Sequence, residues 1–204
     1  MKKLFLVLLL SGSACFSQVT VTGVEYLGTG CPEGSVKVAM SSDGAVFSVL
    51  YNAFNVQVNR SLKTALSDCR VVLHVKKPKR LGLQIESAEF RGFVALDIGV
   101  TARQHVEVAT GPNKGHQQLS AEYGIQSFTG PISENFTLQS VRPTKQRPGI
   151  LDCVPPKENT DIIINSQVQL LNSGTGEFGQ LTVDSADGVL IQRFSIKTIN
   201  CSKN

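Results

Sequence analysis

The chain has 204 residues, a formal net charge of +4 and no tryptophan. So weak a positive charge gives no basis for predicting a nucleic-acid partner. The length suits one all-β domain with a substantial core, and no later stretch approaches the roughly 18 apolar residues of a membrane-spanning helix.

Residues 1–17 have the pattern of a signal peptide. Lys2 and Lys3 precede the unbroken apolar run 4–10, which small residues follow. We expect cleavage after Ser17, with cleavage after Ala14 as the alternative. The predicted protein is then secreted or periplasmic, residues 18–204 form its domain, and removal of the two lysines lowers its formal net charge to +2.

Cys15 leaves a second possibility for the location, a lipid anchor. Gly12, Ser13 and Ala14 precede this cysteine, as small residues do in a bacterial lipobox. However, Gly12 stands where an aliphatic residue is expected. The favoured interpretation is that Cys15 is removed with the signal peptide.

The remaining four cysteines are Cys31, Cys69, Cys153 and Cys201. An even number in an exported chain predicts two disulfides, for which three pairings are possible. We favour Cys31–Cys69 with Cys153–Cys201, each of which would stabilise the fold by about 4 kcal/mol in the chain-entropy model. The spacings match no zinc or redox motif, so we predict no metal and no cofactor.

Alternating apolar and polar residues predict a series of short strands. In chain order they are 18–27, 36–40, 45–52, 54–58, 69–76, 81–85, 88–102, 101–110, 115–128, 135–141, 161–172, 181–184 and 189–199. The segment 88–102 is apolar on both faces, which predicts a central strand covered on two sides.

The segments between the strands predict turns and loops. Ser42-Asp43-Gly44 is a hairpin signal, and residues 185–188 predict a turn between the last two strands, which would form a terminal hairpin. Residues 59–68 are the one place where a helical turn is expected. The proline-rich segment 142–160 predicts a long crossing loop within one domain. Together these features predict an all-β fold, a single β-sandwich of jelly-roll type.

Several motifs in this order resemble one known family. They are GTGCPEGSV, a second cysteine that opens a strand, FRGFVALDIGVTA, FTGP, NSQVQL, VDSADG and a terminal cysteine. The sequence from about Gly28 to Cys201 resembles the secreted family called domain of unknown function 4360. The resemblance implies export and a cysteine-stapled fold, and it implies no catalytic residues.

The densest charge cluster is Lys76, Lys77, Lys79 and Arg80. This basic turn is a candidate patch for an anionic envelope or extracellular polymer. The alternative is a solvated turn that also discourages pairing between sheet edges.

No catalytic signature accompanies the histidines His74, His105 and His116. The leading hypothesis is a non-catalytic exported protein with a surface-binding or structural role. The alternative is a hydrolase of an extracellular polymer that uses acids such as Asp97 with one of the histidines. A carboxylate–histidine pair within one cleft would favour the hydrolase, whereas flat or convex faces would favour binding. The lack of tryptophan argues against a sugar site built on aromatic stacking.

Overall fold

The structure, a computed structural model, describes residues 19–79, 81–111, 119–141, 150–151, 159–174, 178–182 and 190–200. The predicted signal peptide, Cys15, Cys153, Cys201 and most of the loop 142–160 lie outside these residues.

The described residues form thirteen strands and contain no helix. The strands are β1 (Thr20–Leu27), β2 (Val36–Met40), β3 (Val46–Tyr51), β4 (Asn55–Asn59), β5 (Thr64–Lys76), β6 (Leu81–Leu96), β7 (Val100–Thr110), β8 (Leu119–Thr129), β9 (Ile132–Val141), β10 (Ile150–Leu151), β11 (Asn159–Asn172), β12 (Phe178–Thr182) and β13 (Leu190–Asn200).

The strands form two antiparallel sheets that face each other, which confirms the predicted β-sandwich. The first sheet has the order β1-β5-β11-β7-β8. The second contains the order β2-β3-β13-β6, and β6 also pairs with β9, β10 and β12, the last of which pairs with β4. Apolar side chains from alternate positions of both sheets fill the space between them.

Aromatic rings form the centre of this core. Phe47 and Phe194 lie on neighbouring strands of the second sheet and stack with their ring centroids 4.8 Å apart. Phe90 meets Phe194 edge to face at 5.9 Å, and all three side chains are fully buried. Such pairs add to the hydrophobic gain from burial.

The predicted central strand 88–102 is two strands. Residues 88–96 belong to β6 in the second sheet, and Val100 begins β7 in the first. The chain crosses between the sheets at 97–99, where Gly99 has a φ of 82° and Ile98 is 70% exposed. Alternation continues through this turn, so Gly99 was its only signal in the sequence.

The strand β6 also joins two segments that the sequence predicts separately. Ser87 pairs with Ser195 and Ile85 pairs with Ile196, so Glu86 is an extra residue that forms a bulge. The bulge shifts the buried positions from odd to even numbers, which explains why the pattern resembled two strands.

The helical turn expected within 59–68 is wrong. The Asn59 side-chain oxygen accepts hydrogen bonds from the backbone N–H groups of Ser61 and Leu62, both at 2.8 Å. This turn leads directly into β5, which begins at Thr64. Asparagine favours such turns because its side chain replaces a backbone acceptor.

The two expected hairpins have different outcomes. The turn at Ser42-Asp43-Gly44 does join β2 to β3, with Gly44 at a φ of 69°. By contrast, β12 and β13 do not pair with each other. They pair with different parts of β6, residues 93–96 and 81–90, so they follow one another along the same edge.

The disulfide Cys31–Cys69 is confirmed, with Cα atoms 5.5 Å apart. It ties the loop after β1 to the middle of β5. Both cysteines are almost completely buried.

A buried set of polar side chains links the two sheets. The Tyr51 hydroxyl donates to Gln192 Oε1 at 3.1 Å within the second sheet. Ser166 on β11 of the first sheet exchanges hydrogen bonds with the same amide, at 2.9 and 3.1 Å. Burial raises the pKa of Tyr51, so its hydroxyl keeps its proton. We call these three residues the inter-sheet bridge.

We expect Gln192→Leu to lower the free energy of unfolding by about 2–4 kcal/mol, because it removes the amide that two buried hydroxyls share. Tyr51→Phe should cost only about 1 kcal/mol, since Ser166 still bonds to Gln192. Urea unfolding followed by circular dichroism measures both changes. The control Gln57→Leu, at an exposed position of β4, should stay within about 0.5 kcal/mol of the wild type. A Gln192→Leu protein as stable as the wild type would contradict this role of the bridge.

Candidate functional site

The outer face of the five-stranded sheet carries two adjacent rows of polar side chains. One row runs across β5, β11 and β7 as Arg70, Asn165 and Glu107. The next row runs across the same strands as Asp68, Gln167 and His105. We call these six residues the polar groove.

Strand alternation puts the groove residues on the surface. Cys69 and Ser166 point into the core, where the disulfide and the inter-sheet bridge hold them. Their sequence neighbours on both sides must therefore point outward. The backbone at Cys69 and Ser166 forms the floor between the two rows.

The groove encloses about 260 Å³ and is open to solvent along the sheet. Neighbouring residues of a row are about 5 Å apart, and the two rows are separated by about 7 Å. These dimensions suit one extended chain of small units lying on the sheet, rather than an enclosed small molecule.

The groove presents both donors and acceptors. The Asp68 carboxylate is oriented by the Thr29 hydroxyl, which donates to Oδ1 at 2.8 Å. The His105 Nε2 atom lies 3.0 Å from a carboxylate oxygen of Glu122 on β8. Among the described residues, Arg70 and Glu107 make no side-chain hydrogen bond or ion pair, so both remain available to a ligand.

Exposed apolar side chains lie around the groove. Leu27 is the cross-strand neighbour of Arg70 and is 66% exposed, and Ile125 is the neighbour of His105 and is 46% exposed. Leu66 lies one row beyond Asp68 and is 55% exposed. The polar floor is thus bordered by aliphatic surface.

A second polar cluster lies farther along this face and is centred on His74. Its Nδ1 atom is 2.8 Å from Asp161 Oδ1, and its Nε2 atom is 3.2 Å from Glu25 Oε1. The hydrogen bond to Asp161, followed by that to Glu25, raises the pKa of His74. The apolar row Val72, Ile163 and Ala109 separates this cluster from the polar groove.

The predicted basic turn is only partly available to a ligand. Lys76 and Lys79 are exposed, but Lys77 is buried and its ammonium donates to the Leu81 carbonyl at 2.6 Å. Arg80 lies outside the described residues. The anionic-ligand patch of Lys76, Lys77, Lys79 and Arg80 therefore stays a prediction.

The structure does not bring Asp97 together with His74 or His105. Asp97 lies in the turn before β7, where its carboxylate accepts a hydrogen bond from the Phe178 N–H at 2.8 Å. His105 lies five residues beyond the start of β7 at Val100, which places it about 17 Å farther along the strand. His74 lies on β5 and pairs with Asp161 of β11, next to Ile162, which pairs with Thr110 at the opposite end of β7. His116 lies outside the described residues.

The described residues contain no group of three or more His, Cys, Asp or Glu side chains that could hold a metal ion. The same part of the chain also has no helix that is long and apolar enough to cross a membrane.

Sequence reasoning missed the polar groove, although its centre lies in one of the motifs that carried the resemblance. NSQVQL contains Asn165, Ser166 and Gln167. Polar residues at alternate positions of a strand were visible there. The register that aligns them with Arg70 and Glu107 was not.

The two sheets define an all-β sandwich protein. The chain belongs to the family described as Domain of unknown function (DUF4360), whose model matches residues 17–201. A protein of Arthroderma benhamiae described as an uncharacterized secreted protein is 26% identical over 188 residues, which span 91% of this chain and 73% of that protein. The resemblance stated from the motifs is confirmed.

Similar solved structures have low TM-scores. TmCBM61 in complex with β-1,4-galactotriose gives 0.25 at 10% identity, covering 78% of this chain and 88% of that chain. A CBM4 structure gives 0.20 at 11% identity, covering 76% and 85%. At these TM-scores the likeness carries no argument about this chain.

The His74 cluster predicts a pH dependence. Because the pKa of His74 is raised in the folded state, its contribution to stability is complete below the unfolded pKa of about 6.5 and is lost as the pH rises through the folded pKa. Asp161→Asn should lower this pKa more than Glu25→Gln does. Titration of the imidazole proton by NMR measures both values, and an equal or reversed order would contradict the assignment.

The buried position of Lys77 predicts a structural role. Lys77→Ala should lower the free energy of unfolding by about 1–3 kcal/mol, because the Leu81 carbonyl loses its charged donor. Lys76→Ala, at the exposed neighbouring position, should change it by less than about 0.5 kcal/mol. Denaturant unfolding of the two variants tests this, and equal effects would show that Lys77 is an ordinary surface residue.

Proposed function

We propose that this protein is an exported, non-catalytic binding protein that holds an uncharged, hydroxyl-rich polymer in its polar groove. The observation that carries the proposal is the pair of cross-strand rows centred on Asn165 and Gln167, bordered by exposed aliphatic side chains.

Export is supported by the signal-like residues 1–17, by the oxidised pair Cys31–Cys69, and by the secreted relative. Disulfides form and persist in oxidising compartments. This support for export does not depend on what the groove binds.

The choice of ligand follows from the groove's mixture of charges and amides. Hydroxyl groups both donate and accept, so they can bond to the carboxylates of Asp68 and Glu107 and also to Arg70 and the two amides. An anionic polymer would meet the three carboxylates of Asp68, Glu107 and Glu122, against two permanently charged cations, Arg70 in the groove and Arg103 one row beyond His105. Leu27, Leu66 and Ile125 offer surface for the C–H faces of an uncharged, hydroxyl-rich polymer.

A binding role is favoured over hydrolysis because of how the histidines are placed. The His74 cluster is separated from the groove, and Asp97 is far from both described histidines. His105 and Glu122 do form a carboxylate–histidine pair, but the pair borders a shallow, open groove. Water is not excluded from such a surface, so proton transfer there gains little from a low local dielectric.

The test is binding of the purified protein to an array of neutral polysaccharides and of anionic envelope polymers. We expect saturable binding to at least one neutral polysaccharide. Asn165→Ala with Gln167→Ala should weaken it on the order of thirtyfold, from about 1 kcal/mol per lost hydrogen bond. The matched control is Gln57→Ala with Asn135→Ala, which removes the same two amides from exposed positions of the other sheet.

Three results would contradict the proposal. The first is binding to anionic polymers alone; if Lys76→Ala and Lys79→Ala then abolish it, the basic turn is the site. The second is equal loss of binding in the groove variant and its control. The third is release of reducing ends from a bound polysaccharide, which would establish the hydrolase alternative.

A further inference from the structure

The opposite face of the sandwich carries a separate depression around Arg193. One row crosses five strands of the second sheet as Ala39, Ser48, Arg193, Glu89 and Gln139. The two small side chains at one end of this row leave space beside the arginine. We call this space the Arg193 pocket.

The pocket has a volume of about 350 Å³ and a mixed lining. Met40, Val46 and Ile191 are half-buried and supply its apolar surface. Val46 lies on one side of the Arg193 row, and Ile191 lies on the other side, while Arg193 and Glu89 supply the charges within the row. The depression therefore has an aliphatic part and a charged part.

The charges within the pocket are unequally paired. The Glu89 carboxylate is held by Arg91, with both guanidinium contacts at 2.7 Å, and by the Gln139 amide at 3.2 Å. Arg193 is the cross-strand neighbour of Glu89, yet it makes no hydrogen bond or ion pair with any described residue. Its exposed guanidinium leaves the pocket with an excess positive charge.

We propose that the Arg193 pocket binds the carboxylate of a short aliphatic acid. The planar guanidinium of Arg193 offers paired N–H donors that match the two oxygens of a carboxylate. Ser48 is beside it as a further hydroxyl donor, and the aliphatic chain lies against Met40 and Val46, on one side of the row. This site is independent of the polar groove, because it lies on the other sheet.

The probe is hexanoate, titrated into the isotope-labelled full domain and followed by amide chemical shifts. We expect saturable shifts confined to the row around Arg193 and the adjoining residues 40–46. Hexanamide, which has the same chain without the charge, should bind at least tenfold more weakly. Equal binding of the two compounds would overturn the proposal.

Variants locate the site. Arg193→Gln should weaken hexanoate binding at least tenfold, whereas Lys197→Gln, an exposed cation on the same strand, should leave it within twofold. Ser48→Leu fills the depression and should abolish binding while keeping Arg193, so the test survives if Arg193→Gln folds poorly. Unchanged hexanoate binding in Arg193→Gln or in Ser48→Leu would overturn the proposal. The absence of a saturable shift in the wild type would also overturn it. Hexanoate binding should be intact in the Asn165→Ala, Gln167→Ala protein, which separates this outcome from that of the polar groove.

Discussion

The inter-sheet bridge is the constraint on which the arrangement of this sandwich depends. Apolar side chains fill the core without fixing how one sheet slides over the other, since such packing is not directional. The hydrogen bonds among Tyr51, Gln192 and Ser166 are directional and buried, so displacement of either sheet leaves polar groups without partners. Tyr123 adds a second such link, because its hydroxyl donates to the Ile85 carbonyl at 3.0 Å.

The same constraint shapes the outer surface. Ser166 is held inward by the bridge and Cys69 by the disulfide, and the two residues are cross-strand neighbours. A slip of one residue would turn both into the solvent and bury Asn165 and Arg70. The polar groove is therefore a consequence of two internal anchors, which also fix the positions of its side chains.

The sequence predicts the fold class and most strands, because burial at every second residue is a local pattern. Val71, Leu73 and Val75 face the core as their alternation indicates. The prediction of strands from the sequence fails where the alternation continues through a change of sheet, as at Ile98 and Gly99. It also fails where a bulge changes which positions are buried, as at Glu86. It also fails to predict that β12 and β13 share an edge of β6, since pairing across many residues leaves no local trace.

The candidate sites were less predictable than the fold, for the same reason. The basic turn is contiguous in sequence and easily recognised, but one of its lysines, Lys77, is buried. Arg70, Asn165 and Glu107 lie far apart in the chain, and only the sheet register makes them neighbours. Arg193 is one charged residue in a strand, and its pocket exists because Ala39 and Ser48 are small.

The position of β13 also bears on how the chain reaches its native state. This strand comes late in the sequence, yet it lies between β3 and β6 in the interior of the second sheet, and β11 lies likewise between β5 and β7. Neither sheet can be completed before residues 159–200 are available, because each lacks an inner strand until then. The earlier strands must wait as open edges, which are prone to wrong pairing. We therefore expect the sandwich to close only when both late strands are present.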